Sequence, residues 1–510
     1  MLALPARPLT TSSEAPAAEP ATGKASNVSD VKKHLGTLLT SVAMIAGLAL
    51  LGFLAWSWWQ SRLPGSYDVM SYGTVDDGGA QPIAHHHFGV DSLSGPAGKP
   101  DYRLTLTAER APIRLASGKT IDAWTFNGRS PGPELRVRTG DLVQVALVNK
   151  DIGDGVTIHW HGLDVPNAED GVAGVTQNAV APGGRYVYRF RPEQVGTFWY
   201  HTHQDASQGV KQGLFGALVV EAKAKAHGLD LALPVHTFSS RTAIGTHDDV
   251  QRRAVRPGTP VRLRLIDTDS SSARFRLSGM RPSVVAIDGA EIRPAPVPPG
   301  EAIEIGAGGR YDLAFRMPDG VASVEVVNSK AALILSPDGT GEPAAVPSRP
   351  VFDPAARRRA APALRGAHFD RTFNLTIGKK VGFLNGRPGR HWALNGKLYP
   401  RVPMFEVTKG DLVRINLTND SSSVHPMHLH GHHVLVLTRN GKAVSPWSTD
   451  TLLMLPHERY SVAFRAENPG LWMLHCHNLQ HAADGLTMHL MYAGVSTPFR
   501  AGKSAHNDPE

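Results

Sequence analysis

Four histidine motifs and one cysteine carry the chemistry open to this sequence. HWH (159–161), HTH (201–203), HPMHLH (425–430) and HCHNLQH (475–481) hold ten of its 24 histidines and its only cysteine, Cys476. Imidazole and thiolate are ligands for transition metals. A lone HxH means little in a chain this rich in histidine, where chance supplies about one such pair. On an extended strand residues i and i+2 point the same way, so each HxH presents two rings to one face. In HCH the thiol of Cys476 then points opposite to His475 and His477, and it can bind one metal while its neighbours bind others. His425 and His481 are the unpaired ends of their motifs and are free to join Cys476. Two histidines and a cysteine form the trigonal set of a blue-copper electron-transfer site. Imidazole-rich sets without a carboxylate suit copper better than calcium or magnesium. Zinc could use the same ligands, but a thiolate bridge between sites implies electron flow, which zinc does not support. Ordinary core or surface histidines account for any one pair as well as a metal does; they do not account for four in register.

The elements that place these motifs are strands. The 510 residues are 41% hydrophobic and 19% charged, a globular composition long enough for about three domains. With 51 Gly and 38 Pro, turns are frequent. A single cysteine excludes an internal disulfide framework. The formal charge of +8 is modest, and without a basic helix or an aromatic–basic platform no nucleic-acid partner is expected. Period-two alternation runs through LRVRTGDLVQVALVNK (135–150) and FEVTKGDLVRINLTND (405–420). The chain also repeats itself: GRYVYRFR (184–191), GRYDLAFR (309–316) and ERYSVAFR (458–465) share the pattern RYxxxFR. In the first and third copies one histidine motif follows the TGD/KGD strand pair and another follows RYxxxFR. The middle copy has SSSARFRLSG (270–279) where the third has SSSVHPMHLHG (421–431). The expected fold is all-β: three β-sandwich domains of one type, the middle one a spacer without metal.

Leu35–Trp59 is 25 residues without a charge, long enough to span a bilayer, and Trp56, Trp58 and Trp59 suit a membrane interface. Arg7, Lys24, Lys32 and Lys33 precede it and only Arg62 closely follows, which places the N-terminus in the cytoplasm and the rest outside. A cleavable signal peptide is the competing reading, but the apolar stretch is long for one and no clear cleavage site follows it. The expected order is a disordered cytoplasmic tail (1–34), a transmembrane helix (35–59), a linker (60–100), sandwiches at 101–225, 226–343 and 367–497, a Pro/Ala/Arg-rich linker (344–366) and a tail (498–510). His85–His87 read as a polar linker segment, with copper capture outside the membrane the alternative.

The four motifs, in this order, resemble those of the multicopper oxidases: laccases, ascorbate oxidase and bacterial cuprous oxidases. The resemblance covers roughly residues 100–495. It implies three Greek-key domains of the cupredoxin type and four coppers. The type 1 copper would be held by His425, Cys476 and His481, the type 2 copper by His159 and His428, and the type 3 pair by His161, His201, His203, His430, His475 and His477. It also implies single electrons taken from a small reductant near His481 or His425, passed through the Cys476 sulfur and backbone to His475 and His477, and used to reduce O₂ to water. An acid that assists with protons follows the first motif in this family, and Asp170 stands there; a turn residue before Gly171 is the bland alternative. Asp450 is a candidate outer partner for a ligand histidine, or a turn residue. His432 and His433 read as structural.

Two departures from the family pattern matter. Where many bacterial members carry an axial methionine ten residues after the cysteine, this chain has Leu486, which implies a higher type 1 potential; Met488, two residues on, is the alternative. Where some members have a glutamate after the last motif histidine, this chain has Ala482. The 11 methionines are scattered rather than clustered. A laccase-like oxidase of phenolic or aromatic reductants is therefore the first expectation and a cuprous oxidase for copper tolerance the second. A non-catalytic envelope scaffold and a copper-sequestering protein are the other readings.

Overall fold

The computed structural model describes residues 28–79, 87–224, 227–346, 350–353, 355, 364 and 366–510. Its three sandwiches are built on the strands that repeat in the sequence. In the first, Tyr102–Arg114 runs parallel to Val143–Asn149, which pairs antiparallel with the RYxxxFR strand Arg185–Phe190. In the second, Leu229–Phe238 runs parallel to Pro260–Asp267, which pairs with Arg310–Arg316. In the third, Arg371–Leu384 runs parallel to Leu412–Asn419, which pairs with Arg459–Arg465. One arrangement thus occurs three times, as the repeats predict.

Each such sheet faces another. Four plus four strands make the first sandwich, six plus five the second, and eight plus six the third. Inward residues alternate along the strands, as in the burial of Leu106, Ala108, Val143, Val145 and Leu147. Phe126, Trp160, Tyr188, Phe190, Phe198 and Tyr200 fill the core of the first sandwich. The cores of the second and third run together into one apolar cluster that includes Cys476, Leu486 and Met488.

The segment expected to be a linker at 60–100 contributes strands instead. Thr74–Asp76 adds parallel to Pro403–Phe405 at the edge of the six-stranded sheet of the third sandwich, and Phe88–Gly89 pairs with Val495–Ser496. These strands are two or three residues long, too short to show periodicity. The segment at 498–510 is also held: the Asp205 N–H donates to the Asp508 carbonyl (2.6 Å) and Ala179 N–H to Asn507 Oδ1 (2.8 Å). Most of 344–366, residues 1–27, and His85 and His86 lie outside the described residues.

Residues up to Ser57 form a unit of their own. The N-terminal helix runs Val28–Ser61, seven residues ahead of the start expected from charge alone. Lysine is a good helix former, so Lys32 and Lys33 extend the helix rather than stop it. Val31–Ser61 is long and apolar enough to cross a membrane.

Candidate metal centre

HWH forms a short, fully buried strand, His159–His161, set antiparallel to Gly196–His201 so that His159 lies opposite His201. In the third sandwich His425–Leu429 pairs with Leu471–Cys476, bringing His428 opposite His475 and Met427 opposite Cys476. Beyond His477 the chain turns into the short helix Leu479–Ala483, which Asn478 caps by accepting from the His481 N–H (3.3 Å). That turn carries His481 back to the cysteine.

Cys476 Sγ lies 3.6 Å from His425 Nδ1 and 3.8 Å from His481 Nδ1. Three further groups of ring nitrogens converge, His159/His161/His428, His161/His201/His477 and His203/His430/His475, each with its atoms within 4.8 Å of one another. All eleven residues expected from sequence therefore come together, in two places linked by the HCH segment. His87 is not among them, and His85 and His86 lie outside the described residues.

The donor atoms fit copper, and six of the ten rings are oriented from outside. The Nδ1–H groups of His159 and His430 donate to Asp170 (3.1 and 3.0 Å), that of His201 to the Thr202 carbonyl (2.9 Å), that of His203 to the Pro509 carbonyl (2.7 Å) and that of His428 to the Asp450 carbonyl (2.9 Å). Ser421 Oγ lies 2.9 Å from His425 Nε2. Such outer bonds fix the tautomer and leave the other nitrogen free to face the centre. Nε2 of His201 and of His203 and both ring nitrogens of His477 are buried without a hydrogen-bond partner, an arrangement that is costly unless something binds there. His430 Nε2 and His475 Nε2 stand 3.1 Å apart, a spacing suited to two nitrogens about 2 Å from a shared ion. Burial first, then the neighbouring imidazoles, hold His161, His201, His203, His430, His475 and His477 well below the ordinary imidazole range, so they are neutral and can donate lone pairs. Burial, with His481 and Lys379, takes His425 down to about 3. Burial pushes the Cys476 thiol up, so its proton leaves only in exchange for a metal.

Several site residues escape sequence reasoning. Arg310, fully buried, donates to both oxygens of Asp450 (2.7 and 2.6 Å). Asp450 Oδ1 in turn lies 3.2 Å from His161 Nε2 and accepts from Thr451 Oγ1 (2.7 Å). Burial alone would push the Asp450 carboxyl up, yet Arg310 and hydrogen bonds from His161, His428 and His433 hold it well below the usual carboxylate range. Asp450 is thus an outer partner of the histidines rather than a turn or surface residue, and the middle sandwich supplies the counter-charge rather than serving only as a spacer. Nothing in the sequence singles out Arg310, because Arg185 and Arg459 hold the same place in the other two repeats and are exposed. The middle sandwich also comes close at Gly308, where a Cβ would stand 2.7 Å from the His477 ring and φ is +82°, so only glycine fits. Pro509 and Glu510, from the segment read as a tail, reach the far side: Glu510 Oε1 lies 3.5 Å from His475 Nδ1. His432 Nε2 lies 2.8 Å from Tyr492 Oη, a structural contact as expected.

Three cupredoxin-like sandwiches around converging imidazoles and one thiolate define a copper-dependent oxidoreductase. Family models described as multicopper oxidase match residues 107–225 and 373–494. The chain is 27% identical to the multicopper oxidase MmcO of Mycobacterium tuberculosis, with 76% of this chain and 86% of that protein covered. To laccase-1 of Botryotinia fuckeliana it is also 27% identical, covering 73% and 79%. A crystal structure of a multi-copper oxidase from Pseudomonas thermotolerans superposes with a TM-score of 0.64 at 29% identity, covering 78% of this chain and all of that one. These matches liken the chain to multicopper oxidases and laccases and support a copper-dependent oxidoreductase that uses O₂ as acceptor.

Proposed function

We propose that this chain is a membrane-anchored, laccase-like oxidase that takes electrons from phenolic or other aromatic reductants and passes them to O₂. The arrangement of HCH is the observation that carries this: the Cys476 sulfur faces His425 and His481 while its two neighbours face the histidine cluster. Ligand roles follow the groupings above. His425, Cys476 and His481 hold the type 1 ion, His159 and His428 the type 2 ion, and His161, His201, His203, His430, His475 and His477 the type 3 pair. Copper in these places would supply one-electron oxidation at the cysteine and reduction of O₂ where the other eight rings meet. The protein's own part is positional. Asp170 orients one histidine from each outer sandwich and is the carboxyl placed to move protons beside them. His481, the least buried of the eleven, offers its edge to a reductant, while the other ligands are shut from water. The three catalytic sandwiches divide as 101–225, 226–343 and 367–497, and the helix ending at Ser61 anchors them outside the membrane, with the basic flank at Lys24, Lys32 and Lys33 on the cytoplasmic side.

A cuprous oxidase is the second reading. Thioethers near the surface would favour it, but Met404, Met427, Met454, Met473, Met488 and Met491 of the third sandwich are all buried. The deciding experiment is a copper count and absorption spectrum together with oxygen uptake on 2,6-dimethoxyphenol and on Cu(I). About four coppers, a blue thiolate band and uptake with the phenol are expected. Uptake with Cu(I) alone reverses the order of the two readings, and bound copper without uptake leaves sequestration.

In this reading Leu486 would stand beside an ion held by His425, Cys476 and His481, where many multicopper oxidases carry a methionine. The Cys476 N–H donates to the Leu486 carbonyl (3.1 Å) and the Leu486 N–H to the His481 carbonyl (2.9 Å), so this residue is pinned to both ligands, whereas Met488 pairs with Leu474. Leu486→Met is expected to lower the type 1 reduction potential, because a thioether stabilises Cu(II). Redox titration of the blue band reads the shift, and an unchanged potential would place another group at that position.

A further inference from the structure

The hairpin Arg371–Leu384/Arg387–Leu394 covers the side of the cysteine site from which His481 is reached. Trp392, on its second strand, packs against both ring ligands, with centroids 4.7 Å from His425 and 4.5 Å from His481. Over the Trp392 ring lies Lys379 Nζ, 4.0 Å from the centroid. Lys379 is exposed, as are Lys380, Arg387, Arg390, Lys397 and Arg401, and there is no Asp or Glu from Arg371 to Phe405. Six exposed cations in a stretch without an acid account for most of the formal charge of +8 carried by the whole chain. Three of the six have partners: Lys380 donates to the Gly396 carbonyl (3.0 Å), Arg401 to Gln60, and Lys379 lies on the tryptophan face. Among the described residues no carboxylate forms an ion pair with Lys379. The acid on the other side is Asp484, exposed and within reach of Gln480 Nε2 (3.3 Å).

We propose that the exposed Lys379 of this hairpin draws small anionic aromatic reductants, phenols carrying a carboxylate or sulfonate, to the partly exposed edge of His481. This goes beyond the laccase-like reading and rests on it. The ammonium supplies an attraction that reaches roughly a Debye length, about 10 Å at moderate salt, and Trp392, buried beneath it, joins this surface to both ring ligands. Such a face raises the encounter rate for anions and lowers it for cations, which disfavours Cu(I) and other metal cations as electron donors here. The chemistry balances without a further reactant: each phenol gives up one electron and its hydroxyl proton, leaving a phenoxyl radical, and four phenols match one O₂ reduced to two waters.

The test compares syringate with 2,6-dimethoxyphenol, the same phenol with and without a carboxylate, by oxygen uptake of the full chain in detergent. In the wild-type chain the ratio of kcat/KM for syringate over the neutral phenol should fall about tenfold between low and high ionic strength. Lys379→Glu should cut the low-salt ratio by a similar factor and reverse the sign of its salt dependence, and Lys379→Gln should fall between. The blue absorption band monitors the integrity of the cysteine site in every variant. A ratio that ignores both salt and Lys379→Glu overturns the proposal; that outcome would leave the cations to another task, such as contact with anionic lipid headgroups. Absence of oxygen uptake with either phenol would instead overturn the laccase-like reading itself.

Discussion

Cys476→Ser is expected to remove the visible absorption and to reduce oxygen uptake on any phenol at least about a thousandfold, some 4 kcal/mol of barrier. A serine hydroxyl is a hard, uncharged donor that cannot replace a thiolate as a soft ligand. His425 and His481 keep their places, since the first is held by Ser421 and the second by the capped turn at Asn478. Six of the eight rings at the sandwich seam draw their outer partners from Asp170, Asp450, Thr202 and Pro509, none of which touches the thiol. The variant should therefore fold and retain about three of four coppers. Metal analysis beside the spectrum checks this, and a variant that stays blue would remove Cys476 from the site.

The second large effect concerns Arg310. Its bidentate pair with Asp450 is fully buried, and taking one partner away leaves a carboxylate with no way to reach water. Arg310→Leu is expected to cost about 3–5 kcal/mol in unfolding free energy, since broken buried pairs fall in that range. In the double variant Arg310→Leu/Asp450→Asn part of that loss should be recovered, because the Asp450 charge is removed with its partner and only Asp288, 3.6 Å from Arg310 Nη1, loses its counter-charge. Asp450 also orients His161 and His428, so Arg310→Lys, which keeps the charge but not the two parallel N–H···O bonds, should weaken the type 2 copper signal in paramagnetic resonance while the blue band persists. Denaturant unfolding of the single and double variants measures the first effect. A loss in the double variant equal to the sum of the Arg310→Leu and Asp450→Asn losses would show that the pair contributes no coupling.

The sequence made the chemistry legible because metal ligands need particular side chains at particular spacings. HWH, HTH, HPMHLH and HCHNLQH could be read as four convergent groups before any contact was known, and the RYxxxFR strands announced three sandwiches. The rest depended on pairs far apart in the chain. Arg310 and Asp450 are 140 residues apart and His203 and Pro509 are 306 apart. An arginine that is buried in one repeat and exposed in the other two cannot be singled out by pattern. The packing around the cysteine site was hidden for a similar reason. Trp392 and Lys379 read as ordinary strand residues, and only the antiparallel register that sets Lys379 opposite Trp392 brings them together over the ligands.

The short strand Thr74–Asp76 has a practical consequence for anyone preparing a soluble form. Without it, Pro403–Phe405 becomes the rim of its sheet, with open N–H and C=O groups beside Met404 and Phe405, the kind of unpaired border along which copies of a protein stick to one another. A truncation that discards the N-terminal apolar helix is therefore best placed between Ser61 and Thr74, well ahead of residue 101 where the repeating architecture starts.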